Sequence, residues 1–440
     1  MNGEGQISIT LSEWETASPA TCPQLEGFYL DGPPVIRKSV EQLCATGKLQ
    51  LQELRQGLEI TTRSFVGRIN IGRLSVTILP KVKSGSLLTL LRYAYGLRKL
   101  HLSEDTHHDN EQRGIEDLLV AQLNAEAQEL LHRGLQRSYL GEERMLASPR
   151  GRIQVEKLAR RGGLVATALP CRHFPRLENT LLNRILMAGL LLGAGIAGPL
   201  ELKRESRRLA NQMDEQVSRL ELDGRVFEKA QAQLNRLTAA YVPALSIIQL
   251  LMEAKGIVLR GSKNSFPLPG FLFDMNRFFQ ALLSRFLREN LEGLSVQDEH
   301  TLHGMMRFKP AFNPQRRQSP QPRPDFAILQ NKKPIALLDA KYRDLWENPL
   351  PREMLYQLVI YAIGDQRSKT STILYPATSN LAREARIEVS DPFDGGRIGE
   401  VSLRPVYMEY LAEMIQLNSR HSHSIDLRRK ESHRLVFGEI

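Results

Sequence analysis

Asp325 and Asp339 stand fourteen positions apart, and Lys341 follows the second by two. Two carboxylates and an ammonium are the groups that metal-assisted phosphodiester hydrolysis needs. Mg2+ is a hard cation that takes one or two carboxylates and fills its other positions with water and phosphate oxygens. Such a metal polarises a phosphoryl oxygen and lowers the pKa of a bound water. A neighbouring ammonium orients the water and stabilises charge on the phosphorane. Taken alone, the same three residues also fit a solvated hairpin that carries charge near its strand ends. The elements around them must decide.

Those elements are legible. "DFAIL" and "IALLDAKY" are strand-like runs, and "QNKKP" between them is polar. Paired as a hairpin, the strands lie about 5 Å apart. Residues i and i+2 share a face, so Asp339 and Lys341 point the same way and Asp325 comes alongside Asp339. The Ala340 carbonyl, between the two, is a further candidate metal ligand. Leu337 and Leu338 read as core. Upstream, Thr301–Pro324 holds five Arg/Lys residues, several prolines and no Asp or Glu. Proline rules out a central strand or helix there. The segment reads as a basic loop, with Arg316, Arg317 and Arg323 as contacts for a phosphate backbone. Downstream, "PREMLYQLVIYAIGD" reads as a helix with Pro351 near its first turn. Glu353, Gln357 and Tyr361 fall on one face of it.

The whole chain sets bounds. It has 440 residues, 59 basic against 49 acidic, for a net charge of +10. That length predicts two or three domains, and the charge fits a polyanionic partner. Three scattered cysteines, Cys22, Cys44 and Cys171, exclude a four-cysteine iron–sulfur site within one chain and argue against a disulfide framework. They fit a reducing, cytoplasmic setting. The amino terminus lacks the pattern of a signal peptide. The longest apolar run, Ile185 to Leu200, is short for a membrane span and reads as a buried helix. No GxxxxGK[ST] phosphate loop occurs, so any nucleotide chemistry belongs to a partner.

The pattern along the chain predicts an α+β protein. Residues 58–82 alternate around Val66, Ile69, Ile71, Leu74, Val76 and Ile78, with turns expected at Gly67 and Gly72. Arg68 and Arg73 in this region are candidates to enter a partner's nucleotide site as charge-stabilising elements. Helical periodicity marks 111–139 and then 177–255, with breaks at Gly198–Pro199 and Asp223–Gly224. Asp274 is expected to cap an amphipathic helix. His107, His108 and the histidines of the tail read as solvated segments rather than a zinc site, which needs a defined ligand set.

"RPD", "LLDAK" and "YQLVIYA" together resemble the PD-(D/E)xK nuclease signature. With "VGRINIGRLSVTILPKV", "SPRGRI", "LENTLLNRIL" and "FLFDMNRFFQALL" in the same order, the chain resembles McrC, the nuclease subunit of McrBC modification-dependent restriction systems. The resemblance implies an amino-terminal mixed β/α domain that contacts the motor (1–175). A helical connecting region follows (176–262). Last comes a restriction-endonuclease-like domain with a central mixed sheet flanked by helices (263–440). It also implies catalytic Asp325, Asp339 and Lys341 with supporting Gln357 and Tyr361, and Mg2+ on Asp325 and Asp339. The implied partners are a McrB-like AAA+ GTPase hexamer, which holds the GTP, and double-stranded DNA with modified bases. One residue departs from the pattern. The family's helix commonly carries an acidic residue where Gln280 stands, so a third acidic ligand is in question. Two other readings stay open: a standalone repair nuclease of the same superfamily, and a non-catalytic adaptor that regulates the motor.

Overall fold

The computed structural model describes residues 7–30, 34–97, 114–139, 141–160, 167–174, 176–255, 270–365, 368–417 and 421–439. The chain is α+β with mixed sheets. It divides into two compact units. One gathers Met1–Lys99, Glu104–Ile115 and Ala254–Ile440; the other gathers Leu100–Ser103 and Glu116–Glu253. This differs from the expected division at 175 and 262. The reason is a strand pairing between sequence-distant segments.

In the first unit, a four-stranded sheet has the order β1-β3-β2-β4, formed by β1 (Ile7–Ser12), β2 (Phe65–Ile71), β3 (Leu74–Leu79) and β4 (Gly270–Asp274). The apolar residues of this pattern are buried: Val66, Ile69, Ile71, Leu74, Val76 and Ile78 are each at most 1% exposed. Gly72 makes the β2–β3 turn at φ 61. Gly67 is not a turn. It lies inside β2 at φ 131, where β4 crosses so closely that a Cβ would sit 2.3 Å from the Phe271 carbonyl oxygen. Gly67→Ala is therefore expected to destabilise the protein by about 3 kcal/mol or more, read as a lowered midpoint in urea unfolding. Two short strands, Leu49–Leu54 and Gly57–Thr62, pair beside Thr16–Ala17 in a separate small sheet.

Strand β4 runs straight into a helix. Asp274 accepts hydrogen bonds from the Asn276 and Arg277 amides, as an N-cap does. With α1 as Ser84–Tyr95, this helix is α2, Met275–Asn290. Its apolar face buries Phe278, Phe279, Leu282, Leu283, Phe286 and Leu287. Arg285 of α2 donates to the Tyr93 carbonyl of α1 at 2.5 Å, and the Tyr93 hydroxyl donates to Glu289 at 2.6 Å.

The same unit holds a six-stranded mixed sheet. Its strands are β5 (Ser295–Asp298), β6 (Phe326–Gln330), β7 (Lys333–Ala340), β8 (Thr370–Ala377), β9 (Ala385–Ser390) and β10 (Arg397–Tyr407), in the order β5-β6-β7-β8-β10-β9. β6 and β7 are the expected hairpin. Its two-residue turn is Asn331–Lys332, at φ 51 and 64. Positive φ at both positions matches the twist of the flanking strands. β7 pairs parallel with β8, and the connection between them is helix α3 (Arg352–Gly364). Leu358 and Tyr361 of α3 pack with Ala327, Leu337, Ile373, Tyr375 and Val401 of the sheet. Helices α4 (Met408–Gln416) and α5 (Ser422–Phe437) follow. The tail read as solvated is thus largely a helix. Ser432, Leu435 and Val436 are buried, and His433 stacks on Phe437 at 5.5 Å. His107 and His108 lie outside the described residues.

The second unit is mainly helical: Ile115–Arg133, Leu181–Ile196, Leu200–Asp214, Gly224–Ala232 and Val242–Lys255, with a small sheet of Glu142–Leu146, Leu169–His173 and Arg152–Ile153. The longest apolar run forms the buried helix Leu181–Ile196, capped by Thr180. Pro199 ends the break before the next helix, and Asp223 caps the one after. Asn183, within "LENTLLNRIL", is fully buried. Its amide donates to the Gln136 and Glu178 carbonyls at 2.9 and 2.6 Å, and its carbonyl accepts from Tyr241 at 2.6 Å. That motif is structural. Among the described residues no helix is long and apolar enough to cross a membrane.

Candidate active site

The hairpin sets Phe326 opposite Leu338, which places Asp325 level with Asp339. Asp325 Oδ2 accepts the Ala340 amide at 2.8 Å, so its carboxylate is fixed to the partner strand. Lys341 Nζ lies 3.1 Å from Asp339 Oδ2 and 3.7 Å from Asp325 Oδ2. Its own amide donates to the Leu374 carbonyl at 3.0 Å, which keeps it in register with β8. All three sequence-identified residues therefore meet at one end of β6–β7.

Their electrostatics follow from burial. Asp339 is 2% exposed. Burial and then the facing Asp325 push its carboxyl up to about 7, against the pull of Lys341. Burial acts to lower the Lys341 ammonium, but Asp339 and Asp325 outweigh it and hold the ammonium above its usual value. Two carboxylates and one ammonium leave a surplus of one negative charge, in a site where desolvation makes that surplus costly. A hard divalent cation relieves that surplus, and two carboxylates are the number Mg2+ takes from proteins. Among the described residues no group of three or more His, Cys, Asp or Glu side chains is arranged to hold a metal.

Tyr361 and Gln357 arrive with α3. Gln357 Nε2 donates to the Tyr361 hydroxyl at 2.6 Å, and that hydroxyl donates to the Arg323 carbonyl at 3.0 Å. Burial raises the Tyr361 phenol, and the charges of Asp339 and Asp325 add to it. Tyr361 thus ties the loop leading into Asp325 to the helix. Glu353 stands exposed on the first turn of α3 and makes no hydrogen bond or ion pair with the three. Tyr361→Phe removes both of these hydrogen bonds and is expected to cost about 1–3 kcal/mol, read as a fall in Tm.

The basic candidates separate. Arg316, at φ 50, and Arg317 are exposed on the loop. The Arg323 guanidinium is engaged by Glu299, whose amide donates to the Asp325 carbonyl at 2.8 Å. Arg323 is exposed and paired with Glu299 beside the site's entry. Arg73 is exposed on the β2–β3 turn. Arg68 lies within β2, half-buried, one residue past the expected turn at Gly67. Gln280 and Asp325 line a common cleft of about 640 Å³ with Arg277, Ser284, Arg288 and Glu299. The residue that departs from the acidic pattern therefore shares a cleft with Asp325.

Residues that sequence reading did not single out also gather here. Tyr342, next to Lys341, is 3% exposed; its hydroxyl donates to Glu13 at 3.0 Å. Burial pushes the Glu13 carboxyl up to about 7, against hydrogen bonds from Lys81 and Tyr342. Three hundred positions separate these groups, so no local pattern could have joined them.

The profile of the McrBC 5-methylcytosine restriction system component family matches residues 60–376. The chain belongs to the McrBC family. That match spans strands β2, β3 and β4 of the first sheet and the Asp325–Lys341 hairpin. Among solved structures, a refined half-complex from a tetradecameric assembly of Thermococcus gammatolerans McrB AAA+ hexamers with bound McrC is similar, with a TM-score of 0.62 and 16% identity. The likeness covers 96% of this chain and 99% of that one, and it shows a shared fold. A chain of the Thermococcus gammatolerans McrBC complex is also similar, with a TM-score of 0.45 and 18% identity over 64% of this McrBC-family chain and 88% of that chain. No curated protein matches the sequence significantly.

Proposed function

We propose that this McrBC-family chain is the Mg2+-dependent DNA endonuclease subunit of a modification-dependent restriction system. It cuts in complex with a McrB-like AAA+ GTPase hexamer whose hydrolysis it stimulates. The observation that carries this reading is the convergence of Asp325, Asp339 and Lys341 within 3.7 Å on the ends of paired strands. The family match supports the restriction context, and the similar fold of a chain bound to McrB hexamers supports the partner.

Asp325 and Asp339 would hold the cation, with the Ala340 carbonyl beside them. When bound, Mg2+ supplies Lewis-acid polarisation of the scissile phosphate and an activated water. Lys341 sits where its ammonium orients that water and meets charge developing on the phosphorane. Asp325 is held by the Ala340 amide, so its position costs no reorganisation. Gln357 and Tyr361 keep the segment leading into Asp325 in place. Arg316 and Arg317 engage phosphates of the duplex, and Arg73 is offered to the motor.

The experiment is cleavage of methylated duplex DNA by the purified chain with and without an AAA+ GTPase partner, GTP and Mg2+. Cutting only in the full mixture is expected. Cutting by the chain alone would instead favour a standalone nuclease. A second reading is a non-catalytic adaptor, favoured by Gln280 standing in the cleft in place of an acid. Intact GTPase stimulation with no cutting under any condition would establish it.

A further inference from the structure

We propose that the Glu13–Trp14 turn is a positioning clamp on the strand end that carries Lys341, and the route by which the amino-terminal sheet governs cleavage. The proposal rests on the nuclease reading above and names how that site is regulated.

Tyr342 follows Lys341 and is held at three points. Its amide donates to Asn276 Oδ1 at 3.1 Å. Its carbonyl accepts from Trp14 Nε1 at 3.2 Å. Its hydroxyl donates to Glu13 Oε1 at 3.0 Å. Two of the three grips come from one turn, immediately after β1. Since Lys341 is bonded on its other side to Leu374, the clamp and β8 together fix the ammonium's backbone.

The turn itself is braced. The Thr62 hydroxyl, fully buried, donates to the Ser12 carbonyl at 2.7 Å, and the Thr62 amide donates to the Glu15 carbonyl at 2.9 Å. Trp14 sits at φ 60, a left-handed backbone that a bulky residue adopts only when its surroundings impose it. Arg343 stacks over its ring at 5.3 Å. The remaining Glu13 oxygen, Oε2, is buried without a hydrogen-bond partner. An apolar pair at 13 and 342 would pack here without that cost. Strained backbone and an unsatisfied buried carboxylate persist where position matters more than stability.

The third grip leads to the same sheet. Asn276 Nδ2 donates to Ser64 Oγ at 2.5 Å, and the Met275 amide donates to the Ser64 carbonyl at 2.9 Å, one residue before β2. A partner that shifts the β1–β2 end of this sheet therefore shifts the backbone of Lys341. Sub-ångström to ångström displacements of a reacting group cost large factors in rate.

The test uses the full chain with Trp14→Phe, which keeps the ring and removes the donor, and Tyr342→Phe, which removes the hydroxyl. Cleavage rate at saturating DNA, KM, GTPase stimulation and amide exchange across 333–342 are read for each. Each variant is expected to lower kcat about ten- to a hundredfold, with KM and GTPase stimulation within about twofold of wild type, and to speed exchange at Lys341 and Tyr342. Glu13→Gln, which keeps an acceptor for Tyr342, is expected to retain kcat. Unchanged kcat and exchange in both folded Phe variants would overturn the clamp. Wild-type protein that never cuts defeats the nuclease reading instead, and exchange then still decides the clamp.

Discussion

Asp339→Asn is expected to lower DNA cleavage by about 10³-fold or more while leaving GTPase stimulation of the partner unchanged. The asparagine keeps the shape of the side chain and removes half of the anionic pair that would hold the cation. The fold should survive the change. Asp339 is buried with its carboxyl raised by desolvation and by Asp325, so its ionised form is a liability to stability. A neutral amide removes that liability, and Lys341 keeps Asp325 as a partner at 3.7 Å. Tm should hold or rise. Cleavage near the wild-type rate in this variant would remove Asp339 from the chemistry. Asp325→Ala is the less clean probe, because it also strands the Ala340 amide, at about 1–3 kcal/mol for an unsatisfied buried donor.

Lys341→Met is expected to lower cleavage by about 10²–10³-fold, the usual loss when one charge-stabilising group is removed from a transition state. The methionine fills the stem's volume, so β7 and β8 should stay in register. The local charge becomes two carboxylates with no counter-ion. Metal affinity should be kept or increased, and the loss should appear in kcat with KM little changed. A variant that loses DNA binding in proportion to its rate would assign Lys341 to substrate attachment.

The candidate site was legible in the sequence because its geometry is local. A hairpin that brings residues fourteen positions apart side by side, with period-two side chains, fixes Asp325, Asp339 and Lys341 relative to one another before any tertiary contact forms. The α3 residues Gln357 and Tyr361 were legible for the same reason, through helical spacing. Glu353 shares their spacing but sits on the exposed first turn, so periodicity overstated it. The fold was legible in its elements and less so in their grouping. Asp274 announced its cap, and Gly198–Pro199 and Asp223–Gly224 their breaks. The pairing of β4 with β2 joins residues two hundred apart, and no periodicity records it. That pairing makes Gly67 a crossing point instead of a turn. It also brings Asn276 into the first sheet's reach, while Glu13 and Trp14 reach Tyr342 from β1.

The proposed chemistry requires Asp325 and Asp339 together to hold a divalent cation beside Lys341. Mn2+ titration of the intact chain with a short DNA duplex, read by the loss of the free-ion electron paramagnetic resonance signal, measures this directly. Binding by wild type and Lys341→Met, and its loss in both Asp325→Asn and Asp339→Asn, is the predicted result. Equal Mn2+ binding in wild type and the two asparagine variants would contradict it.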